Sequence, residues 1–241
     1  MDAEVWQSLG EQDADWAVAT TPGRKHGGWA EDLEDFYATG REMVGKALSL
    51  VPEVGRQKAL DWGSGTGRLS FALAGEFERV TCVDISTSMQ DTLRTRAAER
   101  GIKNLEIVHA DDFGADESHD FGLSLITIQH FPDRATVERT LRAMVAGLKP
   151  GGWLIVEIPE SGHTLRDRIR PKFHAYRLLR RLGMKPKTLH AMGFSGIRML
   201  CVPRTWVTSV LVDSGADVVR TTDYRGTSHQ QVWYAARKSQ D

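Results

Sequence analysis

The feature that most constrains the fold is a regular alternation of short apolar segments with stretches of helical spacing, which begins at Lys58. The stretches between the apolar segments have the spacing of helices. The second of these predicted helices begins after a capping residue, Ser86, and stops at Gly101. Because strands linked by helices make right-handed crossovers, the alternation predicts a mostly parallel sheet covered by helices on both faces. Five apolar segments have the length and composition of buried strands: 59–62, 79–83, 105–108, 121–128 and 153–158.

Two more apolar segments, 217–222 and 231–236, follow near the end of the chain with a short turn between them. They predict a closing hairpin, so the last strand should run antiparallel. The expected fold is α/β, a doubly wound sheet of seven strands, and 241 residues suit one compact domain because single cores run to roughly 250 residues. We predict four parts: an N-terminal helical cap (1–57), the core (58–158), an inserted basic helical lid (159–202) and the C-terminal part of the sheet (203–241).

Composition and charge exclude several classes of function. The formal net charge is -1, so no whole-protein field attracts nucleic acid. The acidic first ten residues lack an apolar stretch and predict no signal peptide. The longest apolar runs fall far short of the ~20 residues that span a bilayer. The two cysteines, Cys82 and Cys201, predict a reducing, cytoplasmic setting, and neither has the spacing of a metal site, so we expect no metal.

A glycine-rich loop follows the first predicted strand, with Gly63, Gly65 and Gly67 at alternate positions. Glycines there remove Cβ atoms where a backbone must come close to a ligand, and the N-terminus of the following helix suits a carboxylate. In an open parallel sheet such a loop lies at the ligand crevice. A dinucleotide fingerprint would read GxGxxG, which this spacing does not match. Taken alone, the loop could also be only a tight strand-to-helix turn.

Acidic residues stand at the ends of the first three predicted strands: Asp61, Asp84 and Asp111. The carboxylate of Asp84 could accept both hydroxyls of a ribose, and Asp111 with the nearby Phe113 could hold the edge and face of an adenine. Each acid alone could be a loop residue or a helix cap. Three of them at successive strand ends favour a nucleoside-containing ligand.

Five motifs in this order give the chain a family resemblance. They are LDWGSGTGRL at 60–69, VDIS at 83–86, ADDF at 110–113, the segment 120–133 and LKPGGWL at 148–154. Residues 58–158 resemble the class I S-adenosylmethionine-dependent methyltransferases, which have a Rossmann-like sheet. The one departure is Trp62, where the family more often has a smaller apolar residue, and it could alter packing under the loop.

The resemblance implies S-adenosylmethionine as the cofactor, S-adenosylhomocysteine as its product, and a set of contacts. The methionine part would lie over Gly63, Ser64, Gly65 and Gly67, with Asp61 ordering the loop or meeting the ammonium group. The ribose would meet Asp84, and the adenine would meet Ile85, Met89, Asp111, Asp112 and Phe113. Gln129 would lie beside the departing methyl group.

His130 is the predicted base for methyl transfer. The sulfonium is already a good leaving group, so transfer needs an aligned nucleophile and a group that takes its proton. His130 follows the fourth strand beside the expected methyl position. The alternative is a histidine that only caps or orients this loop.

The methyl acceptor is expected to be a small molecule that is methylated on O, N or C and that could be anionic. Residues 163–187 contain nine Lys or Arg and one acid, with apolar residues at helical spacing. This pattern fits a solvated amphipathic helix, or a face that recruits an anionic substrate, a partner or a peripheral anionic lipid surface. Few interleaved aromatics disfavour nucleic acid. The predicted acceptor contacts are Trp29, Tyr37, Arg166 and Arg170.

Two other functions remain open from the sequence. A nucleotide-dependent oxidoreductase would require the GxGxxG spacing that this loop lacks. A non-catalytic S-adenosylmethionine-binding module or scaffold would keep the fold without turnover, although the three acids at the strand ends argue against it.

Overall fold

The computed structural model describes residues 3–18, 29, 32–162, 169, 171–194, 196, 199–225 and 229–240. Its centre is a seven-stranded sheet in the order β3-β2-β1-β4-β5-β7-β6. The strands are β1 Lys58–Trp62, β2 Arg79–Asp84, β3 Leu105–His109, β4 His119–Ser124, β5 Leu148–Gly162, β6 Ala216–Arg225 and β7 His229–Lys238. Strand β7 is antiparallel to both of its neighbours, and the other pairs are parallel. The predicted α/β, Rossmann-like sheet with an antiparallel last strand is confirmed.

Helices pack on both faces of the sheet. They are α1 Ala3–Val18, α2 Leu33–Ser49, α3 Ser70–Ala74, α4 Thr87–Glu99, α5 Arg134–Gly147, α6 Pro171–Arg181, α7 Pro186–Ala191 and α8 Arg204–Asp213. On one face, Leu141 of α5 and Val210 of α8 join the buried core. On the other, Val44 of α2, Leu73 of α3 and Leu93 of α4 do so. Apolar residues at helical spacing therefore bury one stripe of each helix against the sheet.

Local sequence signals fix several boundaries. The hydroxyl of Ser86 accepts a hydrogen bond from the Met89 amide and caps α4, as predicted. Gly101, just after α4, has a φ of +67°, which glycine adopts without steric cost. Pro171 begins α6, where its missing N–H costs nothing.

Two strand boundaries differ from the sequence prediction. Strand β4 ends at Ser124, not at Ile128, because Ile126 takes a φ of +63° and the chain turns into a short 3-10 helix at Ile128–His130. Strand β5 is longer than expected and runs to Gly162, since it pairs with β7 along this length. The extra pairing satisfies the backbone N–H and C=O groups of residues beyond the predicted end of the strand at residue 158.

Helices α1 and α2 fall within the predicted cap, and α6 and α7 within the predicted lid; the boundaries of these parts stay a prediction. The individual helix α1 was not predicted. It packs against α4 and α7 through a small apolar cluster that includes Val5, Leu9, Met89 and Leu189. No helix in the described part of the chain is long and apolar enough to cross a bilayer.

Candidate active site

A cavity of about 380 Å³ opens at the carboxyl ends of β1 and β4, where the strand order reverses. In doubly wound sheets this switch point is where ligands bind. The wall brings together eight of the predicted site residues: Gly63, Ser64, Gly65, Asp84, Ile85, Met89, Asp111 and His130. They come from the ends of β1, β2, β3 and β4 and from the start of α4, so the fold gathers motifs that are far apart in the chain.

The glycine loop forms one side of this cavity. The amides of Gly63 and Ser64 both donate to the carbonyl oxygen of Val83, at 2.7 and 3.0 Å, which ties the loop to β2. Gly63 has a φ of +85°, and a Cβ placed on it would overlap the side chain of Thr127. The hydroxyl of Ser64 is buried and has no hydrogen-bond partner among the described residues. A buried unpartnered hydroxyl at a cavity wall is available to a ligand.

Asp84 connects this loop to the start of α4. Its Oδ2 accepts a hydrogen bond from the Gly65 amide at 2.9 Å, and its Oδ1 accepts one from the Ser86 amide at 2.8 Å. Burial raises the pKa of the Asp84 carboxyl, and the hydrogen bonds from the Ser86 and Gly65 amides oppose that rise. The carboxylate is therefore held in a fixed position on the wall, with lone pairs left for a ligand hydroxyl.

Asp61 lies beneath the loop and is not on the cavity wall. Its Oδ2 accepts a hydrogen bond from the Ser70 hydroxyl at 2.6 Å, while its Oδ1 is buried without a partner in the described structure. Burial raises the pKa of Asp61 to about 6. In this position Asp61 can hold the junction between the glycine loop and α3 in place. Gly67, with a φ of +95°, is also absent from the wall.

The third predicted acid lies on the wall, but the two residues that follow it do not. Asp111 lines the cavity, whereas Asp112 and Phe113 do not contribute to it. The Phe113 ring packs edge-on against the indole of Trp62, with ring centroids 5.1 Å apart. The large indole that departs from the family pattern thus contacts the aromatic ring that the resemblance had assigned to the adenine.

His130 reaches the wall through the turn that follows β4. Its Nε2 lies 3.1 Å from the Gln129 amide nitrogen, and its ring lies 5.2 Å from that of Trp6. Gln129 itself is buried and off the wall, with its Oε1 accepting a hydrogen bond from Gln231 at 3.0 Å. Gln129 thus fixes the turn that carries His130.

Sequence reasoning missed the buried arginine of the loop, Arg68. It lines the cavity with 3% of its surface exposed, and its Nε has no partner among the described residues. Its Nη1 contacts the hydroxyl of Thr39 at 3.3 Å. Burial lowers the pKa of Arg68, against the charges of Asp61 and Glu157. Arg68 is part of the motif LDWGSGTGRL. A cation directly after a glycine loop that suits an anion is a sequence signal that could have identified it.

Helix α1 supplies another unpredicted side of the cavity through Trp6 and Val18. The helix is fastened by Asp15, which forms a two-bond ion pair with Arg96 at 2.6 and 2.8 Å. Asp15 also accepts a hydrogen bond from the buried hydroxyl of Thr66 at 3.0 Å. Because Asp15 and Arg96 are 81 residues apart, no local sequence pattern predicts the contact.

Helix α5 lines the cavity with residues at helical spacing: Thr136, Arg139, Thr140 and Ala143. Spacings of three and four residues place side chains on one face of a helix, and this pattern was available from the sequence. Of the predicted acceptor contacts, Trp29 and Tyr37 pack around Phe36 and do not reach the wall. Arg166 and Arg170 lie outside the described residues.

The strand order and the cavity at its switch point define a doubly wound α/β domain with a ligand-binding crevice at the carboxyl ends of its strands. A family model described as a methyltransferase domain matches residues 59–152. Residues 59–152 therefore carry a methyltransferase domain, and the predicted resemblance to the class I S-adenosylmethionine-dependent methyltransferases is confirmed for this segment.

Individual relatives share this core. A ubiquinone biosynthesis O-methyltransferase from Thiobacillus denitrificans is 33% identical over 101 residues, which are 41% of this chain and 42% of that protein. A trans-aconitate 2-methyltransferase from Deinococcus radiodurans is 27% identical over 134 residues, 55% of this chain and 50% of that protein. The chain spans about half the length of the curated relatives it matches.

A solved structure extends the likeness to the whole fold. The magnesium protoporphyrin IX methyltransferase from Synechocystis PCC 6803, crystallised with bound S-adenosylhomocysteine, aligns with a TM-score of 0.65 over 98% of both chains. Its sequence identity is 18%, so this likeness concerns the fold alone.

Proposed function

We propose that this chain transfers the methyl group of S-adenosylmethionine to a small-molecule acceptor. The observation that carries the proposal is the cavity wall, where the glycine loop, Asp84 and Asp111 meet from three consecutive strand ends. The unpartnered Ser64 hydroxyl and Arg68 Nε suit a ligand with an amino-acid end, because buried polar groups require partners. When bound, S-adenosylmethionine supplies an electrophilic methyl group on a sulfonium.

Each part of the cofactor has a proposed partner among these residues. The loop 63–65 and Arg68 would hold the methionine carboxylate, since a cation and loop amides both favour an anion. Asp84 would accept the ribose hydroxyls, and Ile85, Met89 and Asp111 would bound the adenine. The remaining predicted residues would not contact the cofactor themselves but would shape the glycine loop or the turns beside it. They are Asp61, Gly67, Asp112, Phe113 and Gln129.

We propose an oxygen atom as the acceptor, which the relatives' names support because several of them are O-methyltransferases. His130, on the wall beside Trp6, would take the proton that the acceptor oxygen loses.

The test is conversion of S-adenosylmethionine to S-adenosylhomocysteine across a panel of phenols and carboxylic acids. No turnover with any acceptor, combined with intact cofactor binding, would favour the non-catalytic binding module. A reducing, cytoplasmic setting stays a prediction from the two cysteines.

Replacing Asp84 by asparagine is expected to weaken S-adenosylhomocysteine binding by about 10- to 100-fold, because a charged acceptor contributes about 1.5–3 kcal/mol to its hydrogen bonds. Asparagine keeps an acceptor oxygen for only one of the Gly65 and Ser86 amides, so thermal unfolding of the variant checks that the loop remains folded. Titration calorimetry measures the affinity. The control is Asp217→Asn, an exposed aspartate of β6 away from the cavity wall, which should bind normally. Normal affinity in Asp84→Asn would contradict the ribose assignment.

Replacing His130 by alanine is expected to lower turnover about 100-fold with unchanged cofactor affinity, as for the loss of a general base. Initial rates of S-adenosylhomocysteine formation measure this effect. His130→Gln distinguishes a general base from a histidine that only orients the loop. Glutamine can hydrogen-bond to Gln129 but cannot act as a base. A glutamine variant with wild-type turnover would assign His130 to orienting the loop.

A further inference from the structure

The chain concentrates positive charge in one segment. Residues 168–212 contain ten Lys or Arg and no Asp or Glu, although the whole chain has a net charge of -1. Helices α6 and α7 lie within this segment. Charge separated in this way creates a strong local field that the overall balance conceals.

Helix α6 has two apolar sides, of which the protein core uses only one. Tyr176 and Leu179 face inward and join Leu189 of α7 and residues of α1 in a small cluster. Leu178 and Leu182, one helical turn apart, face outward with 59% and 72% of their surfaces exposed. A surface helix needs only one apolar stripe, on the side that packs against the protein. The outward leucines of α6 are therefore not explained by packing and require another explanation.

Most of the strongly exposed apolar residues lie close to these leucines in the sequence. Among the described residues, six large apolar side chains are strongly exposed: Ile169, Leu178, Leu182, Met192, Val212 and Val219. Four of the six lie between 169 and 192. We call these four residues, Ile169, Leu178, Leu182 and Met192, together with the cations of the same segment, the α6–α7 surface.

The cations on this surface are largely unpaired. Arg180 forms an ion pair with Glu4 of α1 at 2.8 Å. Four other exposed cations of the segment have no ion pair within the described ranges: Lys172, Arg177, Arg181 and Lys185. Their charge is therefore available to an external anion.

We propose that the α6–α7 surface docks on an anionic lipid bilayer. Exposed aliphatic side chains beside unpaired Lys and Arg match the boundary between acyl chains and charged headgroups, where amphipathic helices lie. Single-stranded nucleic acid would instead call for exposed aromatic side chains on which bases stack. The most exposed large apolar side chains here are aliphatic, and the one phenylalanine of α6, Phe173, is partly buried with the Arg177 guanidinium over its ring. An acidic protein partner would complement the charge but would not account as directly for exposed leucines and exposed cations on the same helix.

The test is co-sedimentation with vesicles, which requires no methyl acceptor. The full-length chain is expected to bind phosphatidylcholine vesicles that contain phosphatidylglycerol at least roughly tenfold more tightly than pure phosphatidylcholine vesicles. The paired change Leu178→Ser and Leu182→Ser should weaken this binding about tenfold, because it removes the inserted apolar area. The matched control, Val212→Ser and Val219→Ser, alters valines that are 50% and 61% exposed elsewhere and should bind normally.

A second pair of variants tests the charge. Arg177→Glu with Arg181→Glu should reduce binding at least roughly tenfold, whereas Arg79→Glu with Lys103→Glu changes the net charge equally at exposed sites outside the surface. All these positions are exposed, and thermal unfolding together with S-adenosylhomocysteine binding checks that each variant is folded.

Three results would overturn the proposal. The first is equal binding to neutral and anionic vesicles. The second is equal losses in the surface variants and their controls. The third is light scattering that shows a dimer of the chain which Leu178→Ser and Leu182→Ser convert to monomers, because the leucines would then be a contact between copies.

Discussion

Replacing Gly63 by alanine is expected to lower the free energy of unfolding by about 2–5 kcal/mol and to weaken cofactor binding. Two costs add. A residue with a Cβ at a φ of +85° costs about 1–2 kcal/mol. The added Cβ would lie 2.7 Å from Cβ of Thr127 and closer still to its Oγ1 and Cγ2, and overpacking of this kind costs about 1–3 kcal/mol. Urea denaturation measures the change in stability.

Gly101 provides a control that separates the two costs. It has a φ of +67°, but a Cβ there would meet no heavy atom within 4 Å. Gly101→Ala should therefore cost only about 1–2 kcal/mol, from conformation alone. Adding Thr127→Ala to Gly63→Ala should recover part of the loss, because it removes the two nearest atoms. If Gly101→Ala destabilised the chain as much as Gly63→Ala, close packing of the loop against Thr127 would not be the cause.

Most of the sheet could be predicted because its signals are local. A buried strand shows as a short apolar run, and helix ends show as residues such as Ser86 and Gly101, whose capping hydrogen bond and positive φ the structure contains. The order of the alternation then determines that the crossovers are right-handed and the sheet mostly parallel. The closing hairpin followed from two apolar runs joined by a short turn.

The end of β4 shows where local signals fail. The apolar run continues through Ile126 to Ile128, so its composition cannot distinguish a strand from a cavity wall. A β-branched residue at a φ of +63° is rare, and it persists only when tertiary contacts determine the backbone. Sequence reasoning therefore extended β4 through the residues that turn away and line the site.

The candidate site was predictable where a motif residue comes directly from a strand end. Gly63, Asp84 and Asp111 are of this kind, and all three reach the cavity wall. Contacts made between distant segments were not predictable, as with Asp15 of α1 and Arg96 of α4. The part of the cavity wall that comes from strand ends therefore follows from the sequence, while the part formed by α1 depends on packing between distant segments.

Replacing the buried Glu157 of β5 by glutamine is expected to change how stability depends on pH. Glu157 is 7% exposed, and burial raises its pKa from 4.5 to about 7, against contacts with the Trp233 side chain, the charge of Arg68 and the Ile126 amide. The folded chain therefore binds this proton more tightly than the unfolded chain does. Stability from this group is present below pH 4.5 and is lost as the pH rises toward 7.

Glutamine does not titrate, so the stability of Glu157→Gln relative to wild type should increase by about 2–3 kcal/mol between pH 5 and pH 8. The pKa of Asp61, raised to about 6, acts with the same sign in both proteins and cancels from the comparison. Urea denaturation at a series of pH values measures the difference. Glu78→Gln removes the same charge from an exposed position and should give a difference independent of pH. Parallel pH profiles for wild type and Glu157→Gln would mean that Glu157 is ionised in the folded chain, because only an ionised carboxylate binds no extra proton on folding.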